Sequence, residues 1–328
     1  MNIKVDGMNT GHVQGIAIDK KREFVYFSFT TCLVKTDMQG NIIGTVTGLA
    51  GHLGCIAYNY ENGKVYGSLE FKHDAIGKGV LKTIGREDNI LDGFYMTCFD
   101  VEKIDRIGMD AEKDGVMTAV YLDEVYKDYA ADGHRYGCSG IDGTTFAPDF
   151  GKSDGKQYLY VAYGIYSDLD RTDNDNQVIL KYDISDWDKY AKPLNQLDMH
   201  RSGPEKAYGK YFLFTGNTTY GIQNLEYDPV SGLMLAAVYV GKKEAFPNYS
   251  MFFIDCSKTP EGDKIFLADI AEKDEKTGIT GSNFPYGSTG IATLQDGTFL
   301  FSHEYKNNNG WGCEIHKYKF DNGKFTEI

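Results

Sequence analysis

The stretch GHVQGIAIDKKREFVYFSF, residues 11–29, contains in order a turn with a histidine, a short apolar strand, a polar hairpin and an aromatic strand. A similar order returns in GHLGCIAYNYENGKVYGSLEF at 51–71 and in GIDGTTFAPDFGKSDGKQYLYVAYG at 140–164. It returns again in YGIQNLEYDPVSGLMLAAVYVG at 220–241 and in YGSTGIATLQDGTFLFSHEY at 286–305. Such repetition of one supersecondary unit predicts a repeat architecture.

Further strand-like segments complete each unit. A third follows every pair, as CLVKTD from Cys32, FYMTCFDV from Phe94, QVILKYDIS from Gln177, SMFFIDC from Ser250 and CEIHKYKF from Cys313. A fourth follows in most units, as NIIGTV from Asn41, MTAVYLDEV from Met117, KYFLFTG from Lys210 and KIFLADI from Lys264. Four antiparallel strands repeated five times are typical of propeller blades. We therefore predict an all-β fold, a single β-propeller of five four-stranded blades with long loop insertions.

The predicted domain spans the whole chain, residues 1–328, with blades at approximately 8–50, 51–133, 134–217, 218–284 and 285–328, the last joined by residues 1–7. Both chain ends read as outer strands and are expected to meet in one blade, because closure of the ring removes exposed sheet edges. Insertions are expected at 74–93, 167–176, 186–209 and 271–286. Helices are expected only at 121–131 and 185–191, too few for a parallel α/β fold.

Composition and charge limit the function classes. The 328 residues are 41% hydrophobic and 25% charged, which is ordinary for a soluble globular protein. The formal charge of −13 repels phosphate backbones and anionic lipid surfaces, so neither nucleic acid nor a membrane is an expected partner. No apolar run approaches the about 20 residues that span a bilayer. We expect a small-molecule or sugar-like ligand, and the sequence leaves the oligomeric state open.

The N-terminal segment MNIKVDGMNTGH has no basic stretch followed by an apolar run, unlike a signal peptide. We therefore expect a cytoplasmic protein, or a secreted or periplasmic one if a signal segment has been removed. No cysteine belongs to a CxxC pair, and the spacings do not support a zinc site. Free, buried thiols are expected for all six: Cys32, Cys55, Cys98, Cys138, Cys256 and Cys313.

Candidate ligand-binding residues fall in the two classes of loop that converge on one mouth of a propeller channel. The loops leading into the inner strands contain His12, Gln14, His52, Asp142, Tyr220, Gln223 and Tyr286. The loops leaving the second strands contain Glu70, Arg171, His303, Glu304 and Lys306. A rigid scaffold that gathers many loops around one concavity is a common place for a site.

Three glutamates are candidate catalytic residues. Glu70 and Glu304 end equivalent second strands, and a pair of acids across a pocket is what glycosidic cleavage requires. Glu226 lies on an inner strand where three sister blades have alanine, and a carboxylate there is costly unless it is hydrogen-bonded or functional.

Alternatives remain open for the other polar residues. His12 and His52 with a carboxylate could hold a divalent metal such as zinc, iron or copper, or they could simply bond to loop carbonyls. Lys72, Lys242 and Lys306 recur at equivalent positions, either as a ring for an anion or as solvated surface lysines. The acidic run DLDRTDNDNQ, residues 168–177, has calcium-type ligands but lacks the EF-hand pattern and reads equally as a solvated loop.

Two segments, HVQGIAID at 12–19 and QNLEYDP at 223–229, resemble parts of the five-bladed glutaminyl cyclotransferases, which read roughly FTQG and NELEY. The resemblance implies that Gln14 and Glu226 lie together at the pocket. Gly54 stands where that family has a functional glutamate, and its pocket tryptophans are missing, so we do not carry the activity over.

Three function classes follow from these residues. The first is a hydrolase or lyase acting on a sugar-like substrate through Glu70, Glu226 or Glu304 with His12, His52 and Arg171. Tyrosine-rich loops would offer flat faces for sugar rings. The second is a non-catalytic propeller that binds a small ligand or peptide, and the third is a metal-dependent enzyme built on the histidines. The sequence does not decide whether the protein is an enzyme.

Overall fold

The computed structural model describes residues 3–87, 90–152 and 155–328. The described chain is nearly all β, with five sheets arranged as the blades of one propeller on a four-stranded plan, of which the fourth blade has an irregular outer segment. The inner strands contact one another in cyclic order, so the ring is closed. The predicted fold class is confirmed.

The chain begins in the last blade with β1 (Ile3–Met8) and then builds the first. That blade contains β2 (Val13–Ile18), β3 (Phe24–Phe29), β4 (Cys32–Asp37) and β5 (Ile42–Thr47). The second contains β6 (His52–Asn59), β7 (Lys64–Phe71), β8 (Gly93–Phe99) and, after the short β9 (Met109–Asp110) that pairs with β5, β10 (Met117–Tyr121). Two helices belong to the connections of this blade, α1 (Ala75–Thr83) and α2 (Asp123–Ala130).

The third blade contains β11 (Cys138–Ala147), β12 (Tyr158–Ile165), β13 (Asn176–Tyr182) and β14 (Gly209–Phe214), with 3₁₀ turns at Arg135–Gly137 and Trp187–Lys189. The fourth contains β15 (Thr219–Asp228), β16 (Leu233–Tyr239) and β17 (Met251–Asp255). Its outer position, predicted as a strand at 264–270, is an irregular segment that pairs with β17 through a bridge between Ile254 and Leu267. Two short strands, β18 (Glu272–Lys273) and β19 (Thr280–Gly281), follow it.

The fifth blade contains β20 (Ile291–Thr293), β21 (Thr298–Asn307), β22 (Gly310–Asp321) and β23 (Lys324–Glu327). Both chain ends pair with β22. Strand β1 lies antiparallel to it with Ile3 opposite Ile315, and β23 with Glu327 opposite Tyr318. The ring is thus closed by hydrogen bonds between the first and last parts of the chain.

The apolar core lies between neighbouring blades. Tyr26 and Val46 of the first blade pack in one cluster with Leu53 and Tyr95 of the second. The inner strand β2 is buried along its whole length, as expected for a strand enclosed by its own sheet and its neighbours. The propeller therefore presents its polar chemistry mainly at the two ends of the inner strands.

The helices differ in part from the prediction. Helix α2 lies within the predicted 121–131, whereas 185–191 gives only the 3₁₀ turn, which stops before Lys192 and Pro193, where an α conformation is disfavoured. Helix α1 was not predicted, because its glycines argue against a helix. Asp74 caps it by accepting from the Ile76 and Gly77 amides, and a Cβ at Gly77 would lie 1.8 Å from the Lys72 carbonyl oxygen. No helix in the described part of the chain has the length and apolarity to cross a membrane.

Candidate functional site

A cavity of about 230 Å³ opens where the inner strands begin, and we call it the upper cavity. Seven of the predicted site residues line it: His12, Gln14, His52, Glu70, Asp142, Tyr220 and Gln223. They come from the first four blades, so the closed ring brings together residues that are far apart in sequence. Lys72, Ser139, Gly164 and Tyr239 also line it.

A buried ion pair forms one wall of the upper cavity. The Lys72 Nζ lies 2.5 Å from Glu70 Oε1, and both side chains are at most 5% exposed. Lys72 also donates to the Ser139 carbonyl at 2.9 Å, and Glu70 Oε2 accepts from the Ile141 amide at 3.0 Å. A Cβ at residue 140 would lie 1.8 Å from Glu70 Oε2, which explains the glycine there.

The surroundings raise the pKa of both members of this pair. Burial raises the pKa of Glu70, and the charge of Lys72 and two hydrogen bonds oppose that rise. Burial alone would lower the pKa of Lys72, but the carboxylates of Glu70 and Asp74 outweigh it and raise that pKa. Lys72 therefore stays charged and supplies the counter-charge that Glu70 needs in a buried site.

Asp142 is the second buried carboxyl group of the cavity, and its surroundings are different. Its Oδ1 accepts from the Cys55 amide at 3.0 Å. Burial, and then the charge of Glu70, raise the pKa of Asp142 well above its ordinary range. A Cβ at Gly54 would lie 2.2 Å from Asp142 Oδ1. The space beside position 54, where the cyclotransferases carry a glutamate, is thus filled by a carboxyl group from the next blade.

The two predicted histidines line the same cavity. His52 Nδ1 lies 3.8 Å from Glu70 Oε1, and burial, followed by the charge of Lys72, lowers the pKa of His52 to about 3. His52 is therefore neutral at physiological pH. His12 Nε2 accepts a hydrogen bond from the side-chain Nε2 of Gln14 at 3.1 Å, so the proton of the His12 ring is on Nδ1. That Nδ1 lies 3.2 Å from Glu304 Oε2. Glu304 thus lies at the rim of the cavity, in contact with His12, which lines it.

In the described part of the chain, His12 and His52 belong to no cluster that could hold a metal ion. Across the described residues, no group of three or more His, Cys, Asp and Glu side chains is placed to hold a metal ion. Each histidine instead faces one carboxylate, Glu304 for His12 and Glu70 for His52. The six cysteines are free, and all but Cys98 are fully buried.

Arg171 does not line the upper cavity. Its guanidinium donates to both carboxylate oxygens of Asp173, at 2.7 and 2.6 Å, and to the His134 carbonyl. Asp175, in the same acidic run, pairs with Lys243. Two of the four carboxylates in the run at 168–177 are thus paired with basic side chains, and Asp168 accepts from the backbone amide of Asp170.

The four predicted site residues of the fifth blade, Tyr286, His303, Glu304 and Lys306, also lie outside the cavity lining. His303 stacks between Tyr286 and His316, with ring centroids at 3.4 and 3.7 Å. Lys306 is exposed and lies over the Trp311 ring, 5.0 Å from its centroid. Lys242 is exposed as well, so the three recurring lysines form no ring, and only Lys72 faces the ligand space.

Glu226 lies at the opposite end of the channel, where the inner strands end. It lines a second cavity of about 270 Å³, which we call the lower cavity. Gln14 and Glu226 are therefore not neighbours, and the shared pocket implied by the resemblance is not found. Glu226 cannot act together with Glu70 on one small substrate.

The prediction missed Ser139 and Tyr239, and it treated Lys72 only as one of three recurring lysines, either in a ring for an anion or solvated at the surface. Tyr239 ends β16, at the position where the second strand of its blade leaves the channel, so its place was readable from the repeat. Ser139 contributes its carbonyl, which no side-chain pattern reveals.

No family model matches the chain, and no curated protein matches it. Among solved structures, it is similar to a functionally unknown protein from Desulfotomaculum acetoxidans, with 12% identity, 96% of this chain and 68% of that chain covered, and a TM-score of 0.41. It is also similar to the soluble aldose sugar dehydrogenase from Escherichia coli in its apo-form, with 12% identity, 100% and 88% covered, and a TM-score of 0.43. A GH43 β-1,3-galactosidase with galactodeoxynojirimycin gives 12% identity, 96% and 93% covered, and a TM-score of 0.44. These distant likenesses assign no function to this chain.

Proposed function

We propose that the protein is a hydrolase or lyase that acts on a small sugar-like substrate in the upper cavity. The observation that carries the proposal is that Glu70 and Asp142 line one cavity but have different partners. Glu70 has a lysine counter-charge, whereas Asp142 is buried beside a negative charge. Pairs of acids whose surroundings push their pKa values apart commonly serve as base and acid.

Each group has a role in bond cleavage. Asp142, kept protonated, would donate its proton to the leaving-group oxygen. Glu70, paired with Lys72, would take a proton from an attacking water in hydrolysis, or from a substrate carbon in elimination. Glu304 does not serve as the acid or the base, because it lies at the rim against His12 and is 35% exposed. We therefore assign His12 and Glu304 to substrate binding.

The lining supports a small polar substrate. A volume of about 230 Å³ is below the roughly 300–1,000 Å³ of pockets for drug-sized ligands. Tyr220 and Tyr239 offer aromatic faces, and Gln14, Gln223 and neutral His52 offer polar groups. Sugars combine apolar ring faces with hydroxyl groups, and such a lining suits both.

The first experiment is a thermal-shift screen of sugars, sugar acids and their glycosides, because a ligand that binds only the folded state raises the melting temperature. Each stabilising compound is then incubated with the protein and followed by proton NMR. We expect conversion by the wild type and a loss of kcat of about 10²–10⁴-fold in Asp142→Asn with little change in KM. Asp142→Asn should still be stabilised by the ligand.

Glu304→Gln is the matched control, because it removes a carboxylate at the rim without touching the acid and base. We expect it to raise KM more than it lowers kcat. A ligand that stabilises the wild type without being converted would favour the non-catalytic binding propeller. Full activity in Asp142→Asn would show that Asp142 is not the general acid.

A further inference from the structure

The lower cavity has a lining unlike that of the upper one. All five inner strands contribute to it, and one ring of equivalent positions faces it: Ala17, Ala57, Thr145, Glu226 and Ala292. Three alanines and a threonine leave room at the axis, and the single large member of the ring is a carboxylic acid. A glutamate directed into space that its four counterparts leave free is placed to meet a ligand.

Glu226 has no basic partner there. Its Oε1 accepts from the Thr293 amide at 2.7 Å, and no Lys, Arg or His among the described residues lines the cavity. Arg22, from the neighbouring β2–β3 hairpin, is instead paired with Asp296 at 3.2 Å. The contrast with Glu70, which has Lys72, leaves Glu226 as a buried acid without a counter-charge.

Aromatic side chains supply the walls around this acid. Tyr58, Tyr60, Phe146 and Tyr227 all line the cavity, and the rings of Tyr58 and Tyr60 contact edge to face at 5.3 Å. Aromatic faces attract cations, most strongly where water is excluded. Glu61 at the rim and the net charge of −13 add attraction of the same sign.

We propose that the lower cavity is a binding site for a small organic ammonium ion, held between the Glu226 carboxylate and the tyrosine faces. The site is separate from the upper cavity and does not depend on the activity proposed there. A simple metal ion does not fit, because no group of three or more metal-binding side chains is found in the described chain. An anion would meet two carboxylates and no base.

Ligand binding is expected to be coupled to a proton. Burial, and to a smaller degree the charge of Asp228, raise the pKa of Glu226 to about 8, while the bond from Thr293 opposes the rise. The other titratable groups near it are Tyr58, Tyr60 and Cys55 on the side of β6, Tyr227 on β15, and Glu61 at the rim. Below that pKa, an ammonium ion must displace the proton of Glu226, so affinity should rise with pH and level off above about 8.

The test compares choline with 3,3-dimethyl-1-butanol, its uncharged isostere, by isothermal titration calorimetry on the full chain. We expect choline to bind and the alcohol to bind at least roughly tenfold more weakly. Near neutral pH, the choline heat should vary with the ionisation enthalpy of the buffer, because a proton is released. Above the pKa of Glu226 that variation should disappear.

Glu226→Gln should weaken choline binding at least roughly tenfold and abolish the proton release. Tyr60→Leu, which removes one aromatic face but leaves the carboxyl group, provides a second variant whose binding should fall by a smaller factor. Asp142→Asn in the upper cavity should bind choline like the wild type. Equal binding of choline and the alcohol, unchanged binding in Glu226→Gln, or the absence of choline binding would each overturn the proposal.

Discussion

The upper and lower cavities lie at opposite ends of the same five inner strands, yet they treat a buried carboxyl group in opposite ways. In the upper cavity Glu70 is paired with Lys72 and accepts from a backbone amide. In the lower cavity Glu226 has hydrogen bonds but no base. The comparison teaches that one repeated scaffold can support unrelated chemistries, because each ring of equivalent positions is filled independently in each blade.

The largest effect is expected from removing Lys72, the buried cation of the upper cavity. Lys72→Met leaves Glu70 buried without its counter-charge, and breaking a buried ion pair in this way costs roughly 3–5 kcal/mol. Urea unfolding at neutral pH measures the loss. The control, Lys306→Met, removes an exposed lysine from the rim and should change the free energy of unfolding by less than about 0.5 kcal/mol. Equal effects of the two would mean that the Glu70–Lys72 pair is not buried as described.

The stability of the protein should depend on pH because Glu226, the buried acid of the lower cavity, has no basic partner. The pKa of Glu226 is about 8 in the folded protein against an ordinary 4.5, so the unfolded chain ionises first as pH rises. The contribution of Glu226 to stability is present below pH 4.5 and is lost as pH rises to 8. Relative to Glu226→Gln, the wild type should lose up to roughly 4 kcal/mol over that interval. Parallel pH profiles of unfolding for the two proteins would contradict this.

Gly54→Ala tests whether the Asp142 carboxyl group is fixed against the second blade. The added Cβ would lie 2.2 Å from Asp142 Oδ1 and 2.6 Å from Ser68 Oγ, so these groups must move. We expect a loss of about 1–3 kcal/mol in thermal unfolding. Gly79→Ala is the control, because a Cβ there meets nothing within 4 Å and helix α1 gains a better helix former. A neutral Gly54→Ala would mean that Asp142 can leave its position easily.

The smallest effect is expected at the rim of the upper cavity. His12 and Glu304 are each about one-third exposed, and polar contacts between side chains this exposed contribute at most about 1 kcal/mol. Glu304→Gln should therefore leave the unfolding midpoint in urea nearly unchanged. A loss as large as that of Lys72→Met would place Glu304 among the structural residues rather than the ligand contacts.

The sequence predicted the blades well, because each strand pair has its own turn and apolar pattern. It was less informative about which residues meet. Strand β21 continues to Asn307, so His303 lies inside a paired strand opposite Glu314 rather than in a loop. Neighbouring residues of a strand face opposite sides, which separates His303, stacked on Tyr286, from Glu304 beside His12.

Strand length also explains the placement of Glu226. It lies six residues beyond Tyr220, and at about 3.3 Å per residue this distance along an extended strand is about 20 Å. The alanines at equivalent positions correctly marked Glu226 as unusual, but they carried no information about the end of the channel to which it belongs. Arg171 was misplaced for another reason: its partner, Asp173, is only two residues away, and local pairing of this kind is invisible until the loop is built.

The pairing of β1 with β22 has a consequence for synthesis on the ribosome. Residues 3–8 are translated about 300 residues before the residues they pair with, 311–315. At about 5–20 residues per second, the N-terminal segment waits roughly 15–60 s before its partner exists. The ring can therefore be closed only after residues 311–315 have been translated, and a nascent chain stalled before residue 310 should leave residues 3–8 accessible to a chaperone or protease.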